Sequence, residues 1–276
     1  MNRISPTAHF TGYSWIKMGF SDPVLSTPEG AFLYYALAPF DVVTDIFSSV
    51  SLRRFLYARH ALIDHLCREY IQNGYSQVIE VAAGLSGRSI RFTKEFPDLN
   101  WVELDLPGMS SAKHEKLSNL GLLHSRLHCI AADALNIDHV FSALENVWDT
   151  KRRTIIITEG LINYLTKDQL TVLWENFAKI AARLPETRYL SDLHPRENNS
   201  DSILIQLGRS VLGAFVRGKV NFHFSTEQEC ETELKRHKFE GGWLHPADFS
   251  SITGVHPNQS SPVRIINAIF SKGENN

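Results

Sequence analysis

From about residue 75 onward, the sequence alternates between short apolar runs and longer stretches in which apolar residues recur at helical spacing. The run 154–158 is almost wholly β-branched, which is typical of a strand buried on both faces. Strands of this kind that alternate with helices form a parallel sheet covered by helices on both sides. The alternation therefore predicts an α/β fold with a doubly wound, mostly parallel, seven-stranded sheet.

The predicted strands and helices follow directly from this pattern. The predicted strands span residues 77–81, 101–105, 127–131, 154–158, 188–193 and 263–270. The predicted helices in the same part of the chain span residues 87–96, 110–120, 167–183, 201–215 and 225–237. The helix 201–215 interrupts the alternation just past the carboxyl end of a strand, where lids commonly lie.

The first 74 residues show helical spacing and no strand pattern. Helices are predicted at 29–38, 42–49 and 52–73, and Gly74 is a natural stop for the last of them. We therefore expect a helical N-terminal cover rather than a separate domain. The predicted organisation is a single domain over residues 1–276, made of the cover 1–74, a cofactor-binding core 75–195, a lid insertion 196–224 and C-terminal strands with a helix over 225–276.

Composition excludes several classes of partner. The formal net charge is −2 without a dominant basic block, so no nucleic acid is expected as a partner. The apolar runs are too short to span a membrane, and the N-terminus carries no signal core. The three cysteines and the scattered histidines show no metal-ligand spacing. These features predict a cytoplasmic protein without a metal, and no feature indicates an oligomeric state.

The stretch 80–88 follows the first predicted strand and opens a helix. A glycine-containing turn at this place lets the backbone approach a bound nucleotide closely, and a helix N-terminus favours polar or negative groups. The spacing Ala82-x-Gly84-x-x-Gly87 is also similar to the dinucleotide fingerprint with its first glycine replaced. The motif alone therefore leaves a nicotinamide-dependent dehydrogenase open.

Acidic residues end three successive predicted strands. Glu80 lies inside the end of the first strand, where a buried carboxylate needs a partner such as a loop N–H or a ligand ammonium. Asp105 is placed to accept both hydroxyls of a ribose, and Asp133 to reach the amino group of an adenine. The three acids point at one crevice, which suits a cofactor with an amino acid at one end and adenosine at the other.

Three sequence blocks together resemble the leucine carboxyl methyltransferase family. They are residues 80–91 with a Gly-Leu-x-x-Arg turn, residues 101–107 with an acid-Leu-Pro ending, and residues 158–165 with Glu-Gly-Leu-x-x-Tyr-Leu. Residues 57–64 are similar to the Arg-x-x-x-x-Asp helix of that family. The resemblance implies a Rossmann-like fold and an S-adenosylmethionine-dependent methyltransferase (EC 2.1.1.-).

The resemblance implies roles for four residues near the methionine end of the cofactor. Arg59 pairs with the methionine carboxylate, the alternative being a surface arginine. Arg88 braces the glycine turn or binds the same carboxylate, or forms a purely structural ion pair. Glu159 faces the sulfonium centre or the methionine amine, or is a buried structural acid. Tyr164 lines the methyl-transfer site or belongs to the core.

At the adenosine end, the resemblance assigns Asp105 to the ribose and Asp133, with Ala134 and Leu135, to the adenine. The structural alternatives are a strand-end cap for Asp105 and a helix N-cap for Asp133. The sequence departs from the family at Ala82, which stands where the first glycine of the turn is usual. A methyl group at that position narrows the close approach that glycine permits.

Methyl transfer is an in-line displacement, for which the enzyme holds nucleophile, methyl and sulfur in line and dry. A carboxylate acceptor is already ionised at neutral pH, whereas a hydroxyl acceptor benefits from a base. His194 is the candidate base, with Asp192 to orient it, although both also fit a structural loop.

We expect an O-methyltransferase for small molecules. The alternatives are a protein C-terminal carboxyl methyltransferase and a non-catalytic binding module.

Overall fold

The computed structural model describes residues 5–48, 52–196, 220–259 and 261–272. Its strands are β1 (Gln77–Val81), β2 (Asn100–Asp105), β3 (Leu127–Ala131), β4 (Thr154–Thr158), β5 (Thr187–Leu193), β6 (Phe239–Leu244) and β7 (Arg264–Phe270). They form one sheet in the order β3-β2-β1-β4-β5-β7-β6, in which only β7 runs antiparallel to its two neighbours. The predicted doubly wound, mostly parallel seven-stranded sheet is confirmed.

The helices lie on both faces of this sheet. They are α1 (Pro6–Lys17), α2 (Pro28–Ser48), α3 (Leu52–Gln72), α4 (Arg88–Glu95), α5 (Pro107–Asn119), α6 (Ile137–Leu144), α7 (Lys167–Ala181), α8 (Glu227–Arg236) and α9 (Ser250–Thr253). No helix in the part of the chain that the structure describes combines the length and the apolar character needed to cross a bilayer.

Strand β1 lies at the centre and divides the core into two layers. On one face, Ile79 packs in a cluster with Trp174 and Phe177 of α7. On the other face, Val78 packs in a cluster with Leu62 of α3 and with Trp101. Removal of this apolar surface from water holds the helices on the sheet. Because β1 pairs with β2 on one side and with β4 on the other, the strand order reverses beside β1, and a crevice is expected at the carboxyl ends there.

Helix α1 lies directly over the turn 82–87 that follows β1. A Cβ atom placed on Gly12 of α1 would lie 2.7 Å from the Cβ atom of Leu85. A Cβ atom placed on Gly87 would lie 2.6 Å from the hydroxyl of Ser21, which follows α1. The two glycines permit this close approach. Helix α1 and the residues that follow it are therefore packed onto the turn 82–87.

Several boundaries differ from the predictions. The predicted helices 29–38 and 42–49 are one helix, α2, which continues through Pro39. Helix α5 begins at Pro107 rather than at residue 110, because proline is well suited to the first helical position. Helices α1, α6 and α9 and strand β6 were not among the predicted elements. The predicted helix 201–215, and with it most of the lid insertion, falls outside the described residues.

Strand β6 escaped prediction because two glycines interrupt its apolar pattern. A Cβ atom on Gly241 would lie 2.2 Å from the carbonyl oxygen of Asn267 in β7. Glycine in a strand interior is favoured where another backbone approaches closely. The glycines that let β6 pack against β7 therefore remove the apolar alternation by which a strand is recognised in sequence.

The contact between Gly12 and Leu85 gives a testable consequence. We expect Gly12→Val to lower the free energy of unfolding by about 2 kcal/mol, because overpacking a tight contact costs about 1–3 kcal/mol. Denaturant unfolding of the wild type and the variant measures this difference. The control Ser111→Val lies on an exposed position of α5 and should change stability by less than about 0.5 kcal/mol. Equal stability of the two variants would contradict the packing of α1 on the turn.

Candidate active site

The turn between β1 and α4 has a left-handed backbone at two positions. Gly84 has a φ of 55°, and Ala82, in place of the usual glycine, has a φ of 54°. The N–H of Ala82 donates to the carbonyl oxygen of Leu104 in β2 at 2.7 Å. A left-handed conformation is costly for every residue except glycine. Ala82 therefore carries backbone strain in addition to the steric effect predicted from the sequence.

Asp105 joins the end of β2 to this turn. One of its carboxylate oxygens accepts the N–H of Gly84 at 2.9 Å, and the other accepts the N–H of Leu106 at 2.8 Å. Burial raises the pKa of Asp105, and the two backbone donors oppose that rise. An ionised carboxylate has about four acceptor positions. Two backbone donors therefore leave capacity for two further donors at the crevice.

Asp133 follows β3 at the same edge of the sheet. Its carboxylate accepts the N–H of Leu135 at 3.0 Å. The N-cap of α6 is Asn136 and not Asp133, so the interpretation of Asp133 as a helix cap is wrong. The carbonyl oxygen of Ala134 accepts the side-chain amide of Asn176 in α7 at 2.9 Å. These contacts fix the backbone of residues 133–135 beside the crevice.

Eight charged or titratable side chains meet between α3, α4 and the carboxyl ends of β1, β4 and β5. We name this group the buried ion cluster, and its members are Arg59, His60, Asp64, Glu80, Arg88, Arg91, Glu159 and Asp192. All of them are buried except Arg91, which is partly exposed. Buried charges of this number require mutual pairing.

Arg88 is the centre of the buried ion cluster. Its guanidinium is fully buried and donates to Asp64 at 2.6 Å, to Glu80 at 2.6 Å and to Glu159 at 2.5 Å. These carboxylates come from α3, β1 and the segment after β4. The observed contacts of Arg88 are those expected of a brace for the turn that precedes it.

Glu80 lies deeper than the crevice. Its second oxygen accepts the indole N–H of Trp101 at 3.2 Å. Burial raises its pKa to about 7, against the opposing effect of Arg88 and with a further rise from Glu103. The partners observed for this carboxylate are thus the Arg88 guanidinium and the Trp101 indole. A contact of Glu80 with a cofactor stays a prediction.

Arg59 and Glu159 form a buried pair at the end of β4. The Nε atom of Arg59 donates to Glu159 at 3.0 Å, and its Nη1 atom donates to Asp192 at 3.1 Å. The alternative of a surface arginine is therefore wrong. Burial alone would raise the pKa of Glu159, but His60, Arg88 and Arg59 hold that pKa well below its usual range. Glu159 is accordingly ionised.

Asp192 has a different role from the one expected. Its second oxygen accepts the N–H of Gly160 at 2.6 Å, while the first accepts from Arg59. The carboxylate thus positions Arg59 and the turn after β4, and the expectation that it orients His194 is wrong.

His60 was missed in the sequence. Burial, followed by the charge of Arg88, lowers its pKa, so the ring is neutral. With its proton on Nδ1, the ring donates to Glu159 at 2.9 Å and accepts from Arg91 at Nε2, where the separation is 3.1 Å. No sequence pattern marks His60, whereas Asp64 was visible as the last residue of the Arg-x-x-x-x-Asp element.

Lys113 is a second missed residue. Its fully buried ammonium donates to the carbonyl oxygen of Ser86 at 2.6 Å and to Glu103 of β2 at 2.7 Å. Burial opposes the charge, yet Glu103 raises the pKa of Lys113 above its usual value. Lys113 therefore pins the turn 82–87 from the side of α5.

Tyr164 and His194 lie at the carboxyl ends of β4 and β5. Tyr164 is 37% exposed on a short 3-10 turn, Ile162–Tyr164, so its alternative as a core aromatic is wrong. Burial of the hydroxyl still raises the pKa of Tyr164. The Nδ1 atom of His194 donates to the carbonyl oxygen of Pro262 at 3.1 Å, and its ring lies 4.8 Å from that of Phe55. A neutral His194 with this hydrogen bond carries its basic lone pair on Nε2.

Within the described ranges, no group of three histidine, cysteine or acidic side chains is arranged to hold a metal ion. The structure thus brings Asp105, Asp133 and the turn residues Ala82 and Gly84 to one edge. Arg59 and Glu159 lie at the adjacent strand end, and Arg88 and Glu80 lie beneath them.

Comparisons with known proteins agree with this architecture. At 14% identity the chain is similar to a DUF574 family protein from Streptomyces avermitilis, with a TM-score of 0.68 over 96% of this chain and 97% of that one. It is equally similar in sequence to a putative methyltransferase from Thermobifida fusca, with 14% identity and a TM-score of 0.66 over 96% and 98%. The match with PigF covers 73% of this chain and 52% of that protein, at 13% identity and a TM-score of 0.49. The first two similarities confirm the Rossmann-like fold.

No curated protein matches the sequence. The family model of the leucine carboxyl methyltransferases matches residues 32–178, which is more than half of the chain. The dehydrogenase interpretation is therefore wrong. The chain belongs to the leucine carboxyl methyltransferase family and is an S-adenosylmethionine-dependent methyltransferase.

Proposed function

We propose that this methyltransferase transfers the methyl group to a carboxylate or hydroxyl oxygen of a small molecule, with the cofactor seated over the carboxyl ends of β1 to β4. One observation carries the cofactor placement. The Asp105 carboxylate is held by the N–H groups of Gly84 and Leu106 and keeps capacity for two more donors. Two vicinal ribose hydroxyls are a matching pair of donors.

The adenosine end follows from this placement. Asp133 and the backbone of Ala134 lie one strand further along the same edge, and we assign them to the adenine. The turn at Ala82 and Gly84 supplies a close backbone approach beneath the ribose and the methionine chain. Glu80 supports that turn through Arg88.

The methionine end faces the Arg59–Glu159 pair. A guanidinium has five N–H donors, so Arg59 keeps donors for the methionine carboxylate while it stays paired with Glu159 and Asp192. Glu159 is ionised and accepts from the methionine ammonium. Arg88 is fully buried and paired with three carboxylates, and we assign to it the support of the turn 82–87.

The chemistry is an in-line displacement at the sulfonium carbon. The oxygen–methyl bond forms as the methyl–sulfur bond breaks, so the positive charge of the cofactor decreases in the transition state and is lost in the thioether product. The acids of the site therefore bind and orient rather than accelerate the step. Helix α1 packs on Leu85 of the turn, and we assign to it the exclusion of water that the displacement needs. With a hydroxyl acceptor, Nε2 of His194 takes the proton and Tyr164 lines the approach. A carboxylate acceptor needs no base.

The family description supports a second candidate, the carboxyl terminus of a protein. This acceptor also presents a carboxylate, so the same cofactor geometry and the same displacement apply. The two candidates differ in the size of the acceptor, and a panel of acceptors separates them.

Asp105 provides the most direct test of the cofactor site. We expect Asp105→Ala to weaken binding of S-adenosylhomocysteine about 100-fold, because two hydrogen bonds to a charged group are worth about 1.5 kcal/mol or more each. Calorimetry on the wild type and the variant measures the affinity. The control Asp98→Ala removes an exposed acid at the opposite end of β2 and should bind as the wild type does. Equal affinity in Asp105→Ala would remove the ribose assignment.

A second expectation concerns ligand identity. S-adenosylmethionine should raise the melting temperature of the wild type, and NAD should not, because only a ligand of the native state stabilises it. Thermal unfolding at a fixed protein concentration with each compound provides the measurement. A rise with NAD as large as that with S-adenosylmethionine would count against the cofactor geometry.

The strain at Ala82 gives a third test. We expect Ala82→Gly to raise the free energy of unfolding by about 0.5 kcal/mol, since relief of a left-handed alanine gains about 1–2 kcal/mol and the freer unfolded chain costs about 0.4–1 kcal/mol. The matched control Ala83→Gly, at a buried position without a positive φ, should lose stability. Equal losses in both variants would show that Ala82 is not strained.

The acceptor is identified by methyl transfer to a panel of phenols, small carboxylates and peptides that end in leucine. We expect a small molecule to be methylated. If that molecule reacts at a hydroxyl, His194→Gln should lower kcat about 100-fold or more, while a carboxylate acceptor should lose little. Transfer to the peptides alone would overturn the small-molecule proposal in favour of the second candidate.

A further inference from the structure

A cavity of about 280 Å³ opens where α7 begins. Its lining residues are Lys167, Arg196, Val220, Asn221, Phe222 and His223. The two cations are exposed, and the other four residues are half-buried. The cavity thus has a basic rim and a partly apolar wall, and no role in cofactor binding has been assigned to it.

The described lining of this cavity carries positive charge. Among the residues that the structure describes, no acid lines it, and neither Lys167 nor Arg196 is paired with a described carboxylate. Burial lowers the pKa of His223, and Arg196 and Lys167 lower it further. The same potential that disfavours a proton on His223 favours an anion in the cavity.

Arg196 is held at the cavity by the chain that lines it. Its Nη2 atom donates to the carbonyl oxygen of Phe222 at 3.0 Å. Its backbone N–H donates to the carbonyl oxygen of Phe224 at 2.7 Å. One carbonyl oxygen thus holds the guanidinium, a second holds the backbone of the same residue, and neither bond cancels the positive charge. A preorganised guanidinium is well suited to bind a carboxylate or a phosphate.

The wall of the cavity is also joined to the predicted methyl-transfer site. The side-chain amide of Asn163 donates to the carbonyl oxygen of Asn221 at 2.6 Å. In return, the backbone N–H of Asn221 donates to the carbonyl oxygen of Asn163 at 2.7 Å. His223 donates to the carbonyl oxygen of Ile162 at 2.9 Å. The turn that carries Tyr164 therefore also positions the cavity.

We propose that this cavity binds an anionic group, a carboxylate or a phosphate, of the methyl acceptor at a point remote from the methylated oxygen. Lys167 and Arg196 bind the charge, and Val220 and Phe222 contact the apolar body of the acceptor. The link to the acceptor rests on the proposed function. The anion site itself rests on the cavity, on the positive charge of its described lining and on the hydrogen bond that holds the Arg196 guanidinium to Phe222.

The experiment is calorimetry on the full chain saturated with S-adenosylhomocysteine, with three probes of similar shape. Phenyl phosphate and benzoate carry the anion, and benzamide is neutral. We expect saturable binding of at least one anion, with benzamide at least tenfold weaker. The stronger of the two anions identifies the preferred group. The double variant Lys167→Gln and Arg196→Gln should weaken that binding at least tenfold.

A matched control, Lys94→Gln with Lys235→Gln, makes the same change in net charge at exposed positions elsewhere and should bind the anion as the wild type does. Equal loss in both double variants would show a general charge effect and overturn the site, as would the absence of saturable anion binding. Anion binding that persists while S-adenosylhomocysteine fails to bind would contradict the proposed function and support the anion site alone.

Discussion

The fully buried guanidinium of Arg88 is the interaction on which the site depends. It binds carboxylates from α3, from β1 and from the segment after β4, at distances of 2.5 to 2.6 Å. In a low-dielectric interior, loss of one member of such a group leaves an uncompensated charge and costs about 3–5 kcal/mol. The contacts therefore hold a helix and two strand ends in one arrangement, at the edge where the crevice lies.

The contacts of Arg88 also determine the geometry of the turn 82–87. Glu80 precedes the turn and Arg88 follows it, so one ion pair clamps both ends. Lys113 pins the middle through the carbonyl of Ser86, and helix α1 packs on Leu85 from above. A turn fixed from so many sides tolerates the left-handed Ala82, because strained residues persist where their surroundings determine the backbone.

Sequence patterns were sufficient for six strands of the sheet and for the acids at its edge. The β-branched run of β4 and the acids at 105 and 133 were recognised because strand burial and strand ends leave a local signal. Several members of the buried ion cluster were named as candidate site residues, but their mutual pairing was not recognised, because neither the burial of a charge nor its partner is visible in a linear pattern. His60 and Lys113 have no motif, and Asp192 was assigned to the wrong neighbour. Strand β6 was hidden by the glycines that it needs.

The central claim is that the Asp105 carboxylate and the Arg59 guanidinium hold the two ends of one adenosyl amino acid. A crystal structure with S-adenosylhomocysteine tests it directly. The account predicts both ribose hydroxyls within hydrogen-bond distance of Asp105, and the methionine carboxylate on Arg59 while Arg59 remains paired with Glu159. A ligand that occupies another part of the molecule, or a crevice in which both side chains are turned away from it, would contradict the account.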